Sequence, residues 1–220
     1  MSGSSTITVG ITGHRPNRMH VGADEIARQL NLVLATIRSG AGGGVKLVAL
    51  SALAEGSDRL FAEAALALGY RLEVILPFVS ADYESTFEDA ARIPQFRVLL
   101  RQAAKVTELP GKLEDSTDAY EAVGQVTVSG SDILLTVWDG QAAAGRGGTP
   151  DIIEHALKLG KPVVWIDAAG VRLPRLLVYP TASESRHTTL AMIAQRAKPC
   201  TRRRLAALAA RVVVHSDVSG

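Results

Sequence analysis

Glycine, basic and acidic residues that could hold a phosphorylated ligand are grouped in three short segments of the sequence. These are Gly13-His14-Arg15, Glu55-Gly56-Ser57-Asp58 and Gly147-Gly148-Thr149. Glycine allows backbone N–H groups to approach a phosphate closely, and the guanidinium of an arginine can bind it with two parallel hydrogen bonds. Carboxylates accept hydrogen bonds from ribose hydroxyls. The three segments therefore predict a nucleotide-binding chemistry, provided that the fold brings them together.

Further acidic and aromatic residues lie next to the third segment. Trp138 and Asp139 end an apolar run, so Trp138 could form the wall of a base pocket and Asp139 could bind a ribose. Asp151 and Glu154 follow Thr149 and are the candidates for acid–base catalysis. A helix dipole alone also favours carboxylates at these positions. No group of His, Cys, Asp and Glu residues has the spacing of a metal site, so no metal and no cofactor is expected.

Each of the three segments follows an apolar run and precedes a stretch whose apolar residues have helical spacing. Strands are predicted over residues 7–11, 46–50, 72–76, 105–109, 132–137, 162–167 and 173–179. Helices are predicted over residues 24–38, 58–68, 82–101 with an interruption near Pro94, 120–129, 152–159, 188–196 and 201–213.

Strands that alternate with helices indicate an α/β fold with right-handed crossovers. We predict a Rossmann-like, doubly wound and mainly parallel sheet with helices on both faces. The near-continuous apolar runs over 132–137 and 162–166 agree, because both faces of such a sheet are covered. Ligands of these sheets bind beyond the carboxyl ends of the strands. All three segments follow strands, so we expect them at that edge, with a glycine-rich stretch from Gly145 onwards.

The charge of the chain is unevenly distributed. Seven of the 24 Lys and Arg residues, but only one of the 22 Asp and Glu residues, lie in 186–220, so 1–185 carries 17 basic and 21 acidic groups. Proteins that bind nucleic acid usually have a basic body, so nucleic acid is not expected as a partner. We predict a nucleotide-binding domain over 6–180 and a basic, helical C-terminal extension over 181–220 that packs on the same domain.

The sequence shows no feature of a secreted or membrane protein. Its 220 residues include one cysteine, Cys200, so no internal disulfide is possible. No apolar run approaches the ~18 residues of a membrane span, and the first residues lack the pattern of a signal peptide. We therefore expect a cytoplasmic protein without a membrane partner.

The three segments, in this order and setting, resemble the SLOG superfamily. That superfamily joins the Rossmann-like domain of DNA-processing protein A (Smf) to the LOG phosphoribohydrolases. Residues 51–58 are similar to the Ser-Gly-x-Ala-x-Gly-x-Asp motif of the DNA-processing branch, and Gly147-Gly148-Thr149 is similar to the Pro-Gly-Gly-x-Gly-Thr-x-x-Glu motif of LOG enzymes. The resemblance covers about residues 6–167.

The sequence departs from the enzyme motif at its catalytic position. The resemblance would place the catalytic glutamate three residues after Thr149, where this sequence has Ile152. Members without that glutamate resemble nucleotide sensors, some of them in bacterial signalling, and LOG-type relatives are homodimers. We therefore expect a sensor that binds a nucleoside phosphate or an ADP-ribose-like signal. The alternatives are a LOG-like phosphoribohydrolase, which cleaves the N-glycosidic bond of a nucleoside 5′-monophosphate, and a single-strand DNA binder.

Overall fold

A computed structural model describes residues 5–19, 22–142, 146–178 and 189–218, the last five of them by their backbone alone. The strands are β1 (Thr6–Gly13), β2 (Lys46–Ser51), β3 (Arg71–Leu76), β4 (Lys105–Glu108), β5 (Ile133–Trp138), β6 (Val163–Asp167), β7 (Arg175–Leu177) and β8 (Lys198–Pro199). The helices are α1 (Ala23–Ala41), α2 (Ser57–Ala67), α3 (Ser80–Ser85), α4 (Ile93–Gln102), α5 (Ser116–Ser129), α6 (Thr149–Lys158), α7 (Leu190–Gln195) and α8 (Arg202–Val218).

The strands form one sheet in the order β4-β3-β2-β1-β5-β6-β7-β8. Strands β1 to β6 are parallel, while β7 and β8 add an antiparallel edge. The chain moves outwards from β1 to β4 and then returns to place β5 on the other side of β1. A crevice opens beyond the carboxyl ends of two strands at such a reversal, and it is the usual ligand position in these folds. Here Gly13 of β1 pairs with Val137 of β5 at that point.

Both faces of the sheet are covered by helices. Along β5, Ile133, Leu135 and Val137 belong to one buried cluster, which also contains apolar residues of α1, α2 and α8. Leu134 and Trp138 belong to a second cluster, which contains apolar residues of α6 and α7. Every residue of β5 is buried, as the continuous apolar run of this segment requires. The prediction of a doubly wound, mainly parallel α/β sheet is confirmed.

The region after β6 agrees with the predicted elements within the described ranges. The expected edge strand over 173–179 corresponds to β7, and the two expected helices correspond to α7 and α8. Residues 179–188 lie outside the described residues. They include the last residue of the predicted edge strand and the first residue of the predicted helix over 188–196. Helix α8 buries Leu205 and Ala209 in the cluster that α1 and α2 share. A domain boundary at residue 180 stays a prediction.

The helix predicted over 82–101 is two helices in the structure. Helix α3 ends at Ser85 and α4 begins at Ile93, with Pro94 in its first turn, where the missing N–H of proline costs no helical hydrogen bond. None of the helices in the described ranges is long and apolar enough to cross a membrane.

Candidate functional site

A cavity of about 360 Å³ lies at the carboxyl ends of β1 and β5, where the strand order reverses. Its floor is apolar and includes Ile11, Val123 and Ile152, and Tyr83 and Tyr120 contribute aromatic surface. The residues of the three predicted segments that line it are Gly13, His14, Arg15, Asp58, Gly147, Gly148 and Thr149. The structure therefore brings the whole of the first and third segments and Asp58 of the second to a single cavity.

His14 connects three elements at the centre of this site. Its N–H donates to the carbonyl of Val137 at 3.0 Å, which extends the pairing of β1 and β5 by one residue. Its buried side chain places Nε2 3.0 Å from Oδ1 of Asp139, and Nδ1 lies 3.5 Å from Oγ1 of Thr149 at the start of α6. The imidazole therefore fixes the end of β5 and the start of α6 relative to β1.

Asp139 is held by several donors and does not line the cavity. Arg18 donates to its Oδ2 at 2.7 Å, and the N–H of Gln141 donates to its Oδ1 at 3.0 Å. Burial would raise the pKa of this carboxyl, but the hydrogen bonds from Gln141, His14 and Arg18 outweigh burial and lower the pKa from 3.8 to about 2. Asp139 thus positions the basic side chains around the cavity, and its oxygens are already occupied by protein donors rather than open to a ribose.

We expect an Asp139→Asn variant to lose about 1–3 kcal/mol of unfolding free energy at pH 7, the range for hydrogen bonds of charged groups. Because the pKa of Asp139 is lowered on folding, its stabilisation is present above pH 4 and is lost as the pH falls towards 2. Urea unfolding at pH 7 and at pH 3 measures this, and the difference from the unmodified protein should be smaller at pH 3.

Asp118 provides the matched control for this substitution. It is exposed and lies 3.5 Å from the exposed Arg146, so Asp118→Asn should change the stability by less than about 0.5 kcal/mol at either pH. A difference between the Asp139 variant and the unmodified protein that stayed constant with pH would contradict the hydrogen-bond account.

Arg15 lies at the cavity with its guanidinium only loosely held. Its Nη1 is 4.0 Å from Oε2 of Glu55 and 3.9 Å from Oε1 of Glu88, and its Cζ lies 5.9 Å from the centre of the Tyr120 ring. About a third of the side chain is exposed (32%). Glu55 is buried, accepts a hydrogen bond from the N–H of Glu88 at 3.1 Å and does not line the cavity. Arg15 is therefore able to turn towards an anion in the cavity.

Gly56 and Ser57 join the start of α2 to the loop after β1. The hydroxyl and the N–H of Ser57 donate to the carbonyl of His14 at 3.1 and 3.3 Å. Gly56 has φ +94°, and a Cβ there would lie 2.8 Å from the same carbonyl oxygen. Neither residue lines the cavity, and the N–H of Ser57 is already bonded within the protein. The sequence predicts both residues at the ligand, whereas the structure places them in the junction between α2 and the loop after β1.

Asp58 is the buried carboxyl of the second segment that lines the cavity. It accepts hydrogen bonds from the N–H groups of Ala52 and Ala54, and the hydroxyl of Ser51 lies 3.4 Å from its Oδ2. Burial disfavours the charged form more strongly than these bonds favour it, so the pKa of Asp58 is raised to about 7. This carboxyl can therefore change its charge near neutral pH.

The third segment forms the start of α6. Gly148 is the N-cap residue of the helix and Thr149 its first residue, while Gly145 lies outside the described residues. The N–H of Gly147 donates to Oδ2 of Asp151 at 2.9 Å, so Asp151 closes the loop from outside the cavity. Glu154 lies on the outer face of α6, 3.6 Å from Lys158.

Neither predicted catalytic carboxylate lines the cavity. The residues of α6 that line it are Thr149 at the start of the helix and Ile152, which is buried. A Cβ at position 124 would lie 2.4 Å from Cδ1 of Ile152, so Gly124 of α5 leaves space for that side chain.

The aromatic residues that line the cavity are on α3 and α5, whereas the sequence predicts Trp138 at the end of β5. Trp138 is buried in the second cluster, where its Nε1 donates to the carbonyl of Gln141 at 2.8 Å and its ring lies 5.2 Å from the ring of Trp165. Tyr83 of α3 and Tyr120 of α5 line the cavity instead, and neither was expected there. A signal for α5 does exist in the sequence, since Tyr120, Val123, Gly124 and Thr127 have the spacing of one helix face.

No site for a metal ion is found: within the described ranges there is no group of three or more His, Cys, Asp or Glu side chains able to hold one. The groups that the cavity offers to a ligand are the start of α6, the guanidinium of Arg15, the Asp58 carboxyl and two tyrosines. Together they suit a ligand with an anionic group, hydroxyl groups and an aromatic ring.

Solved structures similar to this chain include the following three. DNA processing protein A from Streptococcus pneumoniae has a TM-score of 0.53 and 16% identity, over 92% of this chain and 61% of that chain. The protein of the same name from Helicobacter pylori, described for its single-stranded DNA binding mode, has a TM-score of 0.42 and 16% identity over 72% and 64% of the two chains. The molybdenum cofactor carrier protein from Chlamydomonas reinhardtii has a TM-score of 0.41 and 17% identity over 73% and 76%. No protein-family model and no curated protein matches the sequence.

The first of these similarities shows a shared fold. This chain has the Rossmann-like fold of DNA processing protein A and spans 61% of the length of that structure. The fold that the resemblance to the SLOG superfamily implies is thereby confirmed. The expectation that nucleic acid is not a partner stays a prediction, and a fold shared with a DNA processing protein lends it no support.

Proposed function

We propose that the chain binds a nucleotide or nucleotide-derived ligand in this cavity and acts as a sensor of it. The observation that carries the proposal is the position of the cavity. It lies at the reversal of the strand order, where the start of α6 and the guanidinium of Arg15 meet. Crevices at this position are where open α/β sheets bind ligands. The volume of about 360 Å³ falls within the usual range for small-molecule sites.

The phosphate of the ligand would bind at the start of α6. The first N–H groups of a helix have no partner within the helix, and the helix dipole favours an anion there. Gly148 and Thr149 supply these groups, and both line the cavity. Arg15 would leave its two long ion pairs and donate to the same phosphate. The ring of Tyr120 would stack on the base, and Asp58 would bind the ribose.

The side chains that α6 presents to the cavity favour binding over hydrolysis. Ile152 takes the position at which the LOG motif has its glutamate, and its alkyl side chain cannot activate water. Asp151 and Glu154, which are the other carboxylates of α6 near this position, lie outside the cavity. The phosphoribohydrolase alternative therefore has no support from α6.

A thermal-shift screen tests the proposal directly. The chain is mixed with nucleoside mono-, di- and triphosphates, ADP-ribose, cyclic nucleotides and NAD, and each mixture is then separated by chromatography. Stabilisation without new products supports a sensor, and release of free base would restore the hydrolase. If none of these compounds stabilised the protein, the proposed function would be wrong. The resemblance to LOG enzymes implies a homodimer, which light scattering on the same samples tests; the cytoplasmic location also stays a prediction.

We expect Arg15→Ala to weaken the binding of a nucleotide by about 1.5–3 kcal/mol, the range for hydrogen bonds to a charged group. Isothermal titration calorimetry measures the loss. Arg97→Ala is the matched control, because Arg97 forms an ion pair with Glu84 at 2.6 Å and does not line the cavity. A loss of only a few tenths of a kcal/mol in the Arg15 variant would show that this side chain does not contact the phosphate.

A further inference from the structure

Asp58 lines the cavity without forming an ion pair with another described residue, and the charge of Arg59 lowers its pKa less than the N–H groups of Ala54 and Ala52 do. The carboxyl is 95% buried, and none of the ion pairs within 4.0 Å among the described residues includes it. The neighbouring cation, Arg59, donates to the carbonyls of Leu53 and Arg92 at 3.0 and 2.8 Å and lies 4.4 Å from the centre of the Phe87 ring. Asp58 is therefore held mainly by the N–H groups of the loop that it closes.

The other ionisable groups around Asp58 do not neutralise it either. Tyr83 stays a neutral phenol, because burial raises its pKa well above the ordinary value. Arg18 is bound to Asp139, and Arg15 lies beside the carboxylates of Glu55 and Glu88. The groups that face the Asp58 region from the packed elements are Glu55 and Arg59 near α2, Tyr83 of α3, Tyr120 of α5, and His14 and Arg15 after β1.

We propose that Asp58 is a specificity-determining residue that carries a proton when the cavity is occupied, so that a neutral carboxyl recognises an anionic ligand. The inference rests on the proposed function, which supplies the anion. A neutral carboxyl donates one hydrogen bond and keeps acceptor capacity. It can donate its O–H to an oxygen of the phosphate or sugar and accept from a ribose hydroxyl. An ionised Asp58 could only accept, and it would repel the phosphate in the same enclosed space.

The sign of the pH dependence follows from this arrangement. In the free protein the pKa of Asp58 is already raised to about 7 by burial. An anion bound in the same cavity adds like-charge repulsion, which raises the pKa further. Binding above pH 7 then takes up a proton, and the affinity falls as the pH rises. A further rise of one pKa unit on binding corresponds to about tenfold weaker binding at pH 9 than at pH 6.

Isothermal titration calorimetry with ADP-ribose and with 3′,5′-cyclic AMP tests this inference, because the phosphates of both compounds stay ionised between pH 6 and 9. Titrations in two buffers with different ionisation enthalpies give the number of protons exchanged. We expect uptake of about half a proton near pH 7.5 and about tenfold weaker binding at pH 9 than at pH 6. Asp58→Asn, a permanently neutral amide of the same shape, should bind without proton uptake and with an affinity that does not vary with pH. Glu154→Gln, a substitution of an exposed carboxylate outside the cavity, is the control and should keep the pH dependence.

Several results would overturn the inference. Proton uptake that persisted in Asp58→Asn would assign the effect to another group, and binding without pH dependence in the unmodified protein would leave the proposed function intact while removing the role of Asp58. A ¹³C NMR titration of the carboxyl in the free protein is independent of any ligand, and a midpoint near 4 would also overturn it. If neither these compounds nor the screened nucleotides bound at any pH, the proposed function and this inference would both be wrong.

Discussion

A Gly148→Val variant is expected to keep its fold and to lose nucleotide affinity by at least about a hundredfold. Gly148 has φ −74° and ψ 169°, a backbone conformation that valine adopts readily, so the substitution does not strain the chain. The residue lines the cavity at the start of α6, and a branched side chain there would keep a phosphate away from the N–H groups. Loss of two charged hydrogen bonds of about 1.5 kcal/mol each corresponds to a factor above 100. Calorimetry with ADP-ribose measures it.

Gly22→Val is the matched control for this substitution. Gly22 is also an N-cap glycine with an extended backbone, and a Cβ there would have no atom within 4 Å. Both variants lose the same N-cap preference for small or polar residues, at most about 1 kcal/mol of stability each. If the Gly148 variant bound the nucleotide as tightly as the Gly22 variant, the phosphate would not lie at α6.

The sheet could be predicted from the sequence because its strands are apolar runs between helical patterns. Strands β1, β2, β3, β5 and β6 were placed within two residues of their observed bounds. Because both faces of the sheet are buried, the residues of a strand are apolar throughout, and the sequence does not indicate on which face each of them lies. Trp138 illustrates this: it lies on the face of Leu134, under α6 and α7, and no alternation in 132–137 separates that face from the other.

The spacing of apolar residues in α6 indicates that the two catalytic candidates, Asp151 and Glu154, lie on its outer face. The buried residues of α6 are Pro150, Ile152, Ile153, Ala156 and Leu157, while Asp151 and Glu154 lie between them on the outer face. This amphipathic spacing places the two carboxylates away from the sheet. The helix begins at Thr149, so Asp151 and Glu154 both lie within its first two turns.

The contact between His14 and Asp139 could not be predicted from sequence patterns. It depends on β1 and β5 being neighbours, and residues 14–132 between them carry three other strands of the same kind. Likewise, Tyr83 lines the cavity from α3, which follows β3, although β2 lies between β3 and β1 in the strand order. The sequence predicts which segments share the carboxyl edge of the sheet, but it does not predict the contacts between particular side chains that depend on the strand order.

Gly13 shows why a glycine-rich loop in a sequence does not identify a phosphate cradle by itself. Gly13 lines the cavity, yet a Cβ at this position would lie 2.5 Å from Oγ of Ser57 and 2.9 Å from the carbonyl oxygen of Val137. The absent side chain is what allows β1, β5 and the start of α2 to approach one another. Since the carbonyl of Val137 is backbone and also accepts from the N–H of His14, it cannot easily move away.

We therefore expect Gly13→Ala to lower the unfolding free energy by about 3 kcal/mol, as overpacking of a close junction does. Urea unfolding measures the loss. Gly43→Ala is the control, because a Cβ at Gly43 has no atom within 4 Å, and it should be neutral or slightly stabilising.

A double variant, Gly13→Ala with Ser57→Ala, separates the two contacts. Removing the Ser57 hydroxyl relieves the closer contact, so the two substitutions should be less than additive by about 0.5–2 kcal/mol. The contact with Val137 remains, so the recovery is partial. If Gly13→Ala instead kept full stability and lost only nucleotide affinity, this glycine would serve the ligand rather than the junction of β1, β5 and α2.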